Sequence, residues 1–419
     1  MIRGSALYLV IIIALVIATL CSSMIVATYF YKLQQQRKFR FDRLENNLES
    51  GISIILSDSV YYPAEKIIDL YKNQEDTISI QKIPWGFYDL GVVKAHFQKD
   101  TLIKSFLIGS KQDSLKRWVI YLSDEERPLY VSGRTYLKGV AYLPKSGIKE
   151  SYVEGISYEG DERLLIGQKQ VSKETLPPLN INRLNFLEVN QSSFFNGDSS
   201  FNGISAISNS FLDQTRKFYF KNMIQIIRDI SLKGNIILFS NNHITIDSTA
   251  SLDNIIVFAN SISIKSGFAG RVQMFAKETI IIEKHCVFKY PSAVGVIKQK
   301  TSLNQQPRIA LGDSSVFQGI LFTYEKDKSD AQTLIDIGKD TRIEGEVFSR
   351  GMIRFKDGAV IHGSITANRV IYETNSTLFE NYLVNTTINS ELLSPYYLTS
   401  AVFSVASSKR KVLEWLDLK

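Results

Sequence analysis

The chain has 419 residues, of which 44% are hydrophobic and 22% charged, and this balance excludes general disorder. The formal net charge is +7, but six basic residues and one acid in the first 43 positions account for +5 of it. The remainder carries too little positive charge for a body that binds nucleic acid, and the length allows two or three domains. The two cysteines, Cys21 and Cys286, lie in unrelated segments, so no disulfide framework is indicated and the redox compartment stays open.

The N-terminal segment predicts a transmembrane helix. No charged residue occurs from Gly4 to Tyr31, and Leu7–Ile17 is almost wholly aliphatic. A run of this length crosses a hydrocarbon core of roughly 30 Å as a helix, and the aromatic residues Tyr29–Tyr31 suit the interface beyond it. We assign residues 1–31 to this anchor; a buried soluble helix and a cleavable secretory signal are the alternatives.

The helix is expected to continue beyond the membrane. Lys32–Ser50 contains helix formers throughout and no proline, with apolar residues at Leu33, Phe41, Leu44 and Leu48. One rod of about 45 residues is therefore predicted, half in lipid and half outside it.

The opening ten residues, Met1–Val10, resemble those of a type IV prepilin or type II secretion pseudopilin. Those proteins have a short basic leader that ends in glycine, then a long apolar helix that continues as an amphipathic spine. The resemblance implies that a peptidase cuts between Gly4 and Ser5. The family's glutamate at the fifth mature position is replaced here by Leu9, which points to a minor component rather than a major subunit.

The orientation of the body relative to the membrane has two interpretations. Lys32, Arg37 and three further basic residues up to Arg43 follow the span, whereas Arg3 alone precedes it. The positive-inside rule therefore predicts a cytoplasmic body. The resemblance to pilins implies a periplasmic or extracellular body. In that case the basic residues of the spine form a solvated face of the helix. We expect a single-pass inner-membrane protein with its body outside, and keep the cytoplasmic body as the alternative.

Residues 32–124 predict the spine helix and a small sheet. Ile52–Tyr71 is expected to remain helical, with a break near Pro63. Thr77–Gly109 and Arg117–Ser123 alternate as strands do, with a hairpin turn at Lys99-Asp100.

The centre of the chain is periodic, and the step from Ile244 to Ile262, repeated from Ile262 to Ile280, defines one period. The recurring slots are Ile244, Ile262 and Ile280; Ile246, Ile264 and Ile282; Ile256 and Met274; Phe258 and Ala276; and Ala250, Phe268 and Cys286. Within one period the apolar pairs lie six positions apart, and residues i and i+2 of a strand point to the same side. Six positions per face and three faces per turn predict a triangular coil of parallel strands, a β-solenoid. A plain antiparallel sandwich is the alternative.

The same register extends in both directions. One set of matching positions consists of Ile335/Ile337, Ile343/Gly345 and Val347. The set recurs one period later at Ile353/Phe355, Ile361/Gly363 and Ile365. It also matches an earlier set, separated from it by a longer interval, at Ile309/Leu311, Phe317/Gly319 and Leu321. The eight extra positions in that interval predict a surface loop at Glu325–Ala331. Leu129/Val131, Leu137/Gly139 and Ala141 carry the same offset, and matched glycines indicate sharp turns or close packing.

We therefore assign residues 125–376 to the solenoid, with an insertion near 177–230 that includes Pro177-Pro178 and the polar stretch Asn190–Asn209. Residues 377–419 predict a helical cap, with helices at Leu378–Leu393 and Ser407–Leu418. The fold class is mainly β: a transmembrane helix with an extended spine, a small α+β region, a triangular parallel β-solenoid with about 18 residues per turn, and C-terminal capping helices.

No catalytic, metal or cofactor site is indicated. The four histidines, His96, His243, His285 and His362, lack metal-ligand spacing, and no nucleotide or nucleophile motif occurs. Hexapeptide acyltransferases share a coil of this period and use a histidine on it, so a catalytic His243 or His362 is one alternative. Polysaccharide lyases on β-helices use clustered carboxylates, for which Asp336 and Asp340 are the candidates; solvated surface charge is the simpler interpretation.

A second resemblance concerns the coils. Ile335–Tyr372, with Ile-Glu-Gly-Glu-Val at 343–347 and Ile-His-Gly-Ser-Ile at 361–365, resembles bactofilins, the polymer-forming β-solenoids of the bacterial cytoskeleton. It implies a stiff module that stacks end to end and self-associates.

The sequence thus predicts a non-enzymatic, membrane-anchored structural protein of a bacterial envelope, a minor pilin-like or pseudopilin-like component that presents a β-solenoid. Its expected partners are the lipid bilayer and other envelope or pilus-like subunits. A membrane-tethered cytoplasmic scaffold and a carbohydrate-acting enzyme or binder are the alternatives.

Overall fold

The computed structural model describes residues 3–57, 60–72, 75–113, 117–192, 201, 203–221, 224–298, 306–327, 329–403 and 409–418. The chain divides into two compact units. The first consists of Met1–Ile83, Gly91–Ser105 and Leu418–Lys419, and the second of Pro84–Leu90 and Phe106–Asp417. The described residues are mainly β, with one long apolar N-terminal helix, and both features are as predicted.

Helix α1 (Arg3–Ser57) is continuous over 55 residues, somewhat longer than the predicted rod. It ends where the sequence analysis expected a helix to continue. Strand β1 (Tyr62–Asp69) replaces the expected helix, so that part of the prediction was wrong. Pro63 lacks a backbone donor and is tolerated in a strand at the edge of a sheet, and β1 is such a strand.

Four strands follow α1: β1, β2 (Asp76–Trp85), β3 (Tyr88–Phe97) and β4 (Asp100–Lys111), adjacent in that order. Strands β1 and β2 are antiparallel, with Ile68 opposite Ile78. The predicted strands are confirmed. The hairpin turn lies at Gln98 and Lys99, and Gln98 takes a positive φ of 54°.

The second unit contains the remaining elements. They are β5 (Trp118–Leu122), β6 (Leu129–Ser132), β7 (Tyr136–Lys138), β8 (Val140–Leu143), β9 (Ile148–Glu150), β10 (Lys169–Val171), α2 (Ile181–Ser192), β11 (Ala206–Asn209), β12 (Arg216–Phe220), β13 (Gln225–Ile227), β14 (Ser231–Gly234), β15 (Ile236–Ser240), β16 (His243–Ile246), β17 (Ser251–Ile264), β18 (Ala269–Ile282), β19 (Val287–Lys298), β20 (Arg308–Leu311), β21 (Val316–Glu325), β22 (Leu334–Ile337), β23 (Arg342–Phe355), β24 (Val360–Glu373), β25 (Leu378–Glu380), β26 (Tyr382–Val384), β27 (Thr387–Asn389) and β28 (Lys409–Leu418).

Most of these strands form one closed, almost wholly parallel sheet system, which we call the parallel stack: β5, β7, β8, β10–β25 and β27. Strands β14, β15 and β16 pair in parallel with three successive segments of β17. The predicted period is observed directly, because Ile244 pairs with Ile262 and Ile262 with Ile280. The longer interval is also confirmed, since Gly319 pairs with Gly345.

The segment before α2 joins the far end of the parallel stack. Strand β5 pairs in parallel with β24, placing Ile120 beside Ile365, and β7 pairs with β27. Strands β8 and β10 add further layers. The segment around Gly139 therefore continues the repeat after β24 in space, although it precedes the repeat in sequence.

One predicted register was wrong by one position. Met274 pairs with Val257 rather than with Ile256, and Ala276 pairs with Ala259 rather than with Phe258. A register shift between Asp253 and Ile255 moves the strand by one position. Because both faces of this strand are buried, alternation of apolar residues does not reveal which face points inward.

The predicted C-terminal helices were also wrong. Leu378–Leu393 contains β25, β26 and β27, and the part of Ser407–Leu418 that the structure describes is β28. Asn381 and Asn385 adopt positive φ values of 62° and 47°, which interrupt a helix and separate the short strands. Leu383 and Ile388 reach the same core as the predicted coils. The region predicted as an insertion contains α2 and β11–β13; residues 193–200, 202 and 222–223 lie outside the described part.

Candidate functional site

The N-terminal half of α1 carries the clearest functional feature. Its most apolar window has a mean hydropathy of 2.9 and none of it is buried, so by length and composition the helix is able to span a membrane. Leu7, Ile11, Leu15 and Ile25 are each more than half exposed to solvent. Exposing apolar side chains on every face of a helix to water is costly.

The C-terminal half of α1 packs on the sheet of its own unit. Leu44, Leu48, Ile52 and Ile55 occupy one face of the helix and are buried. Gly51 permits the close approach, since an ideal Cβ atom there would lie 2.6 Å from Cγ1 of Val93. The two halves of one helix therefore differ in what covers them.

A polar clamp fixes this half of α1 to the first residue of β2. Arg43 Nε donates to Asp76 Oδ1 at 2.7 Å, and Asn47 Nδ2 donates to the same oxygen at 2.9 Å. The Asp76 side chain is fully buried, and the Arg43 guanidinium lies 4.4 Å from the centroid of the Phe97 ring. A buried carboxylate is stable only when paired and hydrogen-bonded in this way.

Lys82 of β2 contacts the last turn of α1. Its side chain is fully buried, and Nζ lies 3.4 Å from the carbonyl oxygen of Ile55, one of the last-turn carbonyls without a helical partner. An ammonium group is favourable at the negative end of the helix dipole. Local sequence patterns do not reveal this contact or the Arg43 clamp, because the partners lie 27 and 33 positions apart.

The predicted leader junction lies in the first turn of α1. Gly4 and Ser5 are helical, and their side chains lie outside the described part of the chain. Cleavage at this bond stays a prediction.

The histidines are not brought together. His243 Nδ1 lies 2.8 Å from Ser261 Oγ, and burial, followed by the charge of Lys265, lowers the pKa of its imidazole. Burial also lowers the pKa of His362, which lies beside Glu344 of the preceding coil. His96 Nδ1 lies 3.1 Å from Thr101 Oγ1. No group of three or more metal-binding side chains occurs among the described residues.

Asp336 and Asp340 have separate structural surroundings. Asp336 accepts from Arg354 Nε at 2.9 Å, in the adjacent coil. Asp340 has a positive φ of 52° and its backbone nitrogen donates to the Asp357 carbonyl at 3.1 Å.

One carboxyl group that the sequence analysis missed, that of Glu346, is buried in the second unit. Glu346 accepts hydrogen bonds from Thr399 Oγ1 and from the Tyr397 hydroxyl, the latter at 3.5 Å. Burial raises its pKa to about 7, while these two donors and the charge of Arg117 act in the opposite direction. Tyr290 and Tyr88 surround the same site, and burial raises the pKa of both phenols.

Comparison of the chain with protein-family models, with curated proteins and with solved structures finds no match. Functional inference therefore rests on the residues and geometry of this chain.

Proposed function

We propose that this chain is a membrane-anchored structural protein of a bacterial envelope, in which α1 crosses the inner membrane and carries the β-rich body. The observation that carries the proposal is the division of α1. One continuous helix of 55 residues has an exposed apolar half and a half packed on a sheet. A helix of that length spans about 80 Å, enough to cross a bilayer and extend well beyond it.

We infer that the parallel stack is a triangular β-solenoid with about 18 residues per turn. Three successive strand segments in each coil pair with the corresponding segments of the next, which supports three faces per turn. Isoleucine columns such as Ile246, Ile264 and Ile282 fill its interior. A stack of this kind is stiff, because each coil is hydrogen-bonded along its whole length to its neighbours.

The more specific proposal is a minor pilin-like or pseudopilin-like component. An apolar helix whose continuation packs on an antiparallel sheet supports it, in addition to the leader-like Arg3-Gly4. In this proposal the body lies outside the cytoplasm, and the helix associates with the helices of other envelope subunits. No catalytic step is assigned to the chain.

A membrane-tethered cytoplasmic scaffold is the second candidate. It is favoured by one observation, the basic residues Lys32, Arg37, Lys38, Arg40 and Arg43 that follow the span. Positive charge next to a span favours the cytoplasmic side.

Labelling of a single cysteine distinguishes the two orientations. Tyr396 is 87% exposed in the second unit, whereas Cys286 is buried, so Tyr396→Cys in a Cys21→Ser background offers one reactive thiol. We expect a membrane-impermeant maleimide to label it in intact spheroplasts. Labelling only after lysis would assign the cytoplasmic scaffold, and recovery of the wild-type protein in the soluble fraction would overturn the anchor itself. The Cys21→Ser parent is the control for labelling at Cys286.

A further inference from the structure

The stretch of α1 that follows the apolar span carries three cations, Lys32, Arg37 and Lys38, which we call the basic collar. All three side chains are exposed. Successive residues of a helix are separated by about 100° around its axis, so these three lie roughly a third of a turn apart and surround the helix. Charge distributed in this way suits an environment that encloses the helix, whereas a single protein partner would contact one face.

The basic collar has no acidic partners. Within the part of the chain that the structure describes, none of its three residues forms an ion pair. The next two cations along α1 differ, because Arg40 pairs with Asp100 and Arg43 pairs with the buried Asp76. No acidic residue precedes Asp42 in the sequence. The uncompensated positive charge is therefore confined to the segment between the span and the part of α1 that packs on the sheet.

The helix rise places the basic collar at the depth of lipid headgroups. Helix α1 is continuous here, so Lys32 directly follows Tyr31 and Lys38 lies about 10 Å beyond Tyr31 along the axis. The headgroup region on each side of a bilayer is about 5–8 Å thick. Lys32 therefore lies within it, and the long side chains of Arg37 and Lys38 can reach back to it.

Exposed aromatic rings lie next to these cations. Phe39 is 63% exposed and Phe41 is 51% exposed, and Tyr29–Tyr31 are exposed to a similar degree. Rings beside basic side chains are typical of the interface between acyl chains and water, where the rings contact the lipid and the charges contact phosphate groups. A helical face that is only solvated by water gains nothing from such rings.

One side of the basic collar borders an open groove of about 710 Å³ within the first unit. Its lining includes Lys32, Lys38 and Arg40 from α1, and Phe97 and Gln98 from the end of β3 and the turn after it. Asp42 is the one carboxylate among the described residues of this lining. The groove has the volume of a small-ligand site, and its ammonium groups are suited to a phosphate.

We propose that the basic collar binds the phosphate groups of anionic phospholipids and gathers these lipids around α1. The inference rests on the proposed function in one respect, that α1 crosses a membrane, and it adds the class of lipid that meets the helix. Each Lys or Arg near a charged bilayer surface strengthens such binding by about fivefold. A zwitterionic lipid fits less well, because its own cationic group offsets the charge of its phosphate.

The test measures which lipid surrounds α1. Phe30→Trp places a fluorescent reporter at the end of the span, and the full chain is reconstituted in vesicles of equal parts phosphatidylcholine and phosphatidylglycerol. The acyl chains of one lipid or the other are brominated, and bromine quenches tryptophan at short range. The same chain without the reporter gives the background of the three native tryptophans. We expect the ratio of phosphatidylglycerol to phosphatidylcholine at the reporter to exceed that of the bulk bilayer by at least about fivefold at low salt.

Removal of the charge should remove the enrichment. The test variant combines Lys32→Gln, Arg37→Gln and Lys38→Gln in the reporter chain, and we expect its enrichment to fall below about twofold. The matched control replaces three exposed lysines of the second unit and should keep the full enrichment: Lys145→Gln, Lys149→Gln and Lys169→Gln. Salt of about 1 M, where the screening length is about 3 Å, should abolish most of the enrichment in the unaltered collar.

Equal quenching by the two brominated lipids at low salt would overturn the proposal and leave the membrane anchor standing. Enrichment that the triple glutamine variant retains, or that high salt does not reduce, would overturn it as well. The salt comparison needs no substitution in the basic collar, so it decides the case in which the triple variant does not fold. Quenching by neither lipid would place the reporter outside the bilayer, and would overturn both this proposal and the proposed anchor.

Discussion

Gly363 lies directly against Gly345 of the preceding coil, so closely that an ideal Cβ atom at Gly363 would stand 1.8 Å from the Gly345 carbonyl oxygen. Both residues have a large positive φ, 154° and 147°, and Gly319 repeats the relationship one coil earlier with a φ of 140°. The same conformation recurs at Gly139, which the repeat pattern had already matched to these positions. Glycine is thus required at these positions for two reasons: the backbone has a positive φ, and the neighbouring coil leaves no room for a Cβ atom.

The column predicts a large cost for one added methyl group. Gly363→Ala combines a positive φ with a clash against backbone, and backbone cannot rotate away as a flexible side chain can. We expect it to lower the free energy of unfolding by more than about 3 kcal/mol. Gly267→Ala is the matched control, because its φ is also positive, at 81°, but nothing lies within 4 Å of the added atom. Its cost should be about 1 kcal/mol. Urea denaturation measures both, and equal midpoints would contradict the close approach.

Glu346 predicts a pH-dependent stability. Its folded-state pKa of about 7 lies above its ordinary value of 4.5, so the folded protein holds a proton that the unfolded chain releases between these values. Stability should therefore fall as the pH rises from 4.5 to 7 and stay reduced above it, by up to about 3 kcal/mol. The groups that face this carboxyl are Thr399, Tyr397, Arg117, Tyr290 and Tyr88.

Glu346→Gln isolates this contribution. The amide keeps an acceptor for the Thr399 hydroxyl and has no proton to lose, so the variant should be more stable than the wild type in mildly alkaline solution. Well below the ordinary pKa of the carboxyl the two proteins should be alike, because the wild-type group is then neutral in both states, and this comparison is the control. Denaturation midpoints across the pH range provide the measurement. A constant difference between the two proteins at all pH values would contradict the assignment.

The clamp on α1 predicts different costs for two neighbouring arginines. Arg43→Met leaves the fully buried Asp76 carboxylate without its cation, and we expect a loss of about 2 kcal/mol, less than for a fully buried pair because Arg43 is itself partly exposed. Arg40→Met breaks an exposed ion pair with Asp100 at 3.0 Å and should cost less than about 1 kcal/mol. Hydrogen exchange of β2 amides reports the local effect. Similar exchange in the two variants would mean that the clamp does not hold the helix.

The sequence predicted the pairing register of residues that repeat at the spacing of the coil. It did not predict the surroundings of residues whose partners lie far away in the chain. Ile262 and Gly345 repeat along the sequence at the spacing of the coil, so their register was visible. Phe258 was assigned to the wrong side because its outer face is covered as well: it stacks on Phe275, which in turn packs against Phe87 from a much earlier part of the chain. The sequence around Phe258 gives no sign that these distant rings cover its outer face.

The C-terminal strands were missed for the same reason. Tyr382 stacks on Tyr130 with ring centroids 4.6 Å apart, and this partner belongs to β6, far earlier in the sequence. Apolar residues between 378 and 393 matched a helical spacing, but the strands they form are stabilised by layers that come from the beginning of the second unit. The burial of Glu346 was likewise not predictable from the sequence, because its partners Tyr397 and Thr399 come from a distant segment. Glu325, predicted to begin a surface loop, is instead the last residue of β21, and only 1% of it is exposed.

The proposed pilin-like assembly makes one further prediction at the N-terminus. If a prepilin-type peptidase recognises the leader, it cuts between Gly4 and Ser5, and glycine has no side chain to obstruct a peptide bond held at the membrane surface. Gly4→Leu should therefore block processing and leave membrane insertion intact, because the span is unchanged. Ala14→Leu alters the span without touching the leader and should be processed normally.

Terminal sequencing of membrane-extracted protein decides the matter. Wild-type chains that begin at Ser5, with Gly4→Leu chains that begin at Met1, would support release of the helix into a bundle of similar helices. Wild-type chains that keep Met1-Ile2-Arg3-Gly4 would remove the pilin assignment and leave an uncleaved anchor that carries a β-rich scaffold.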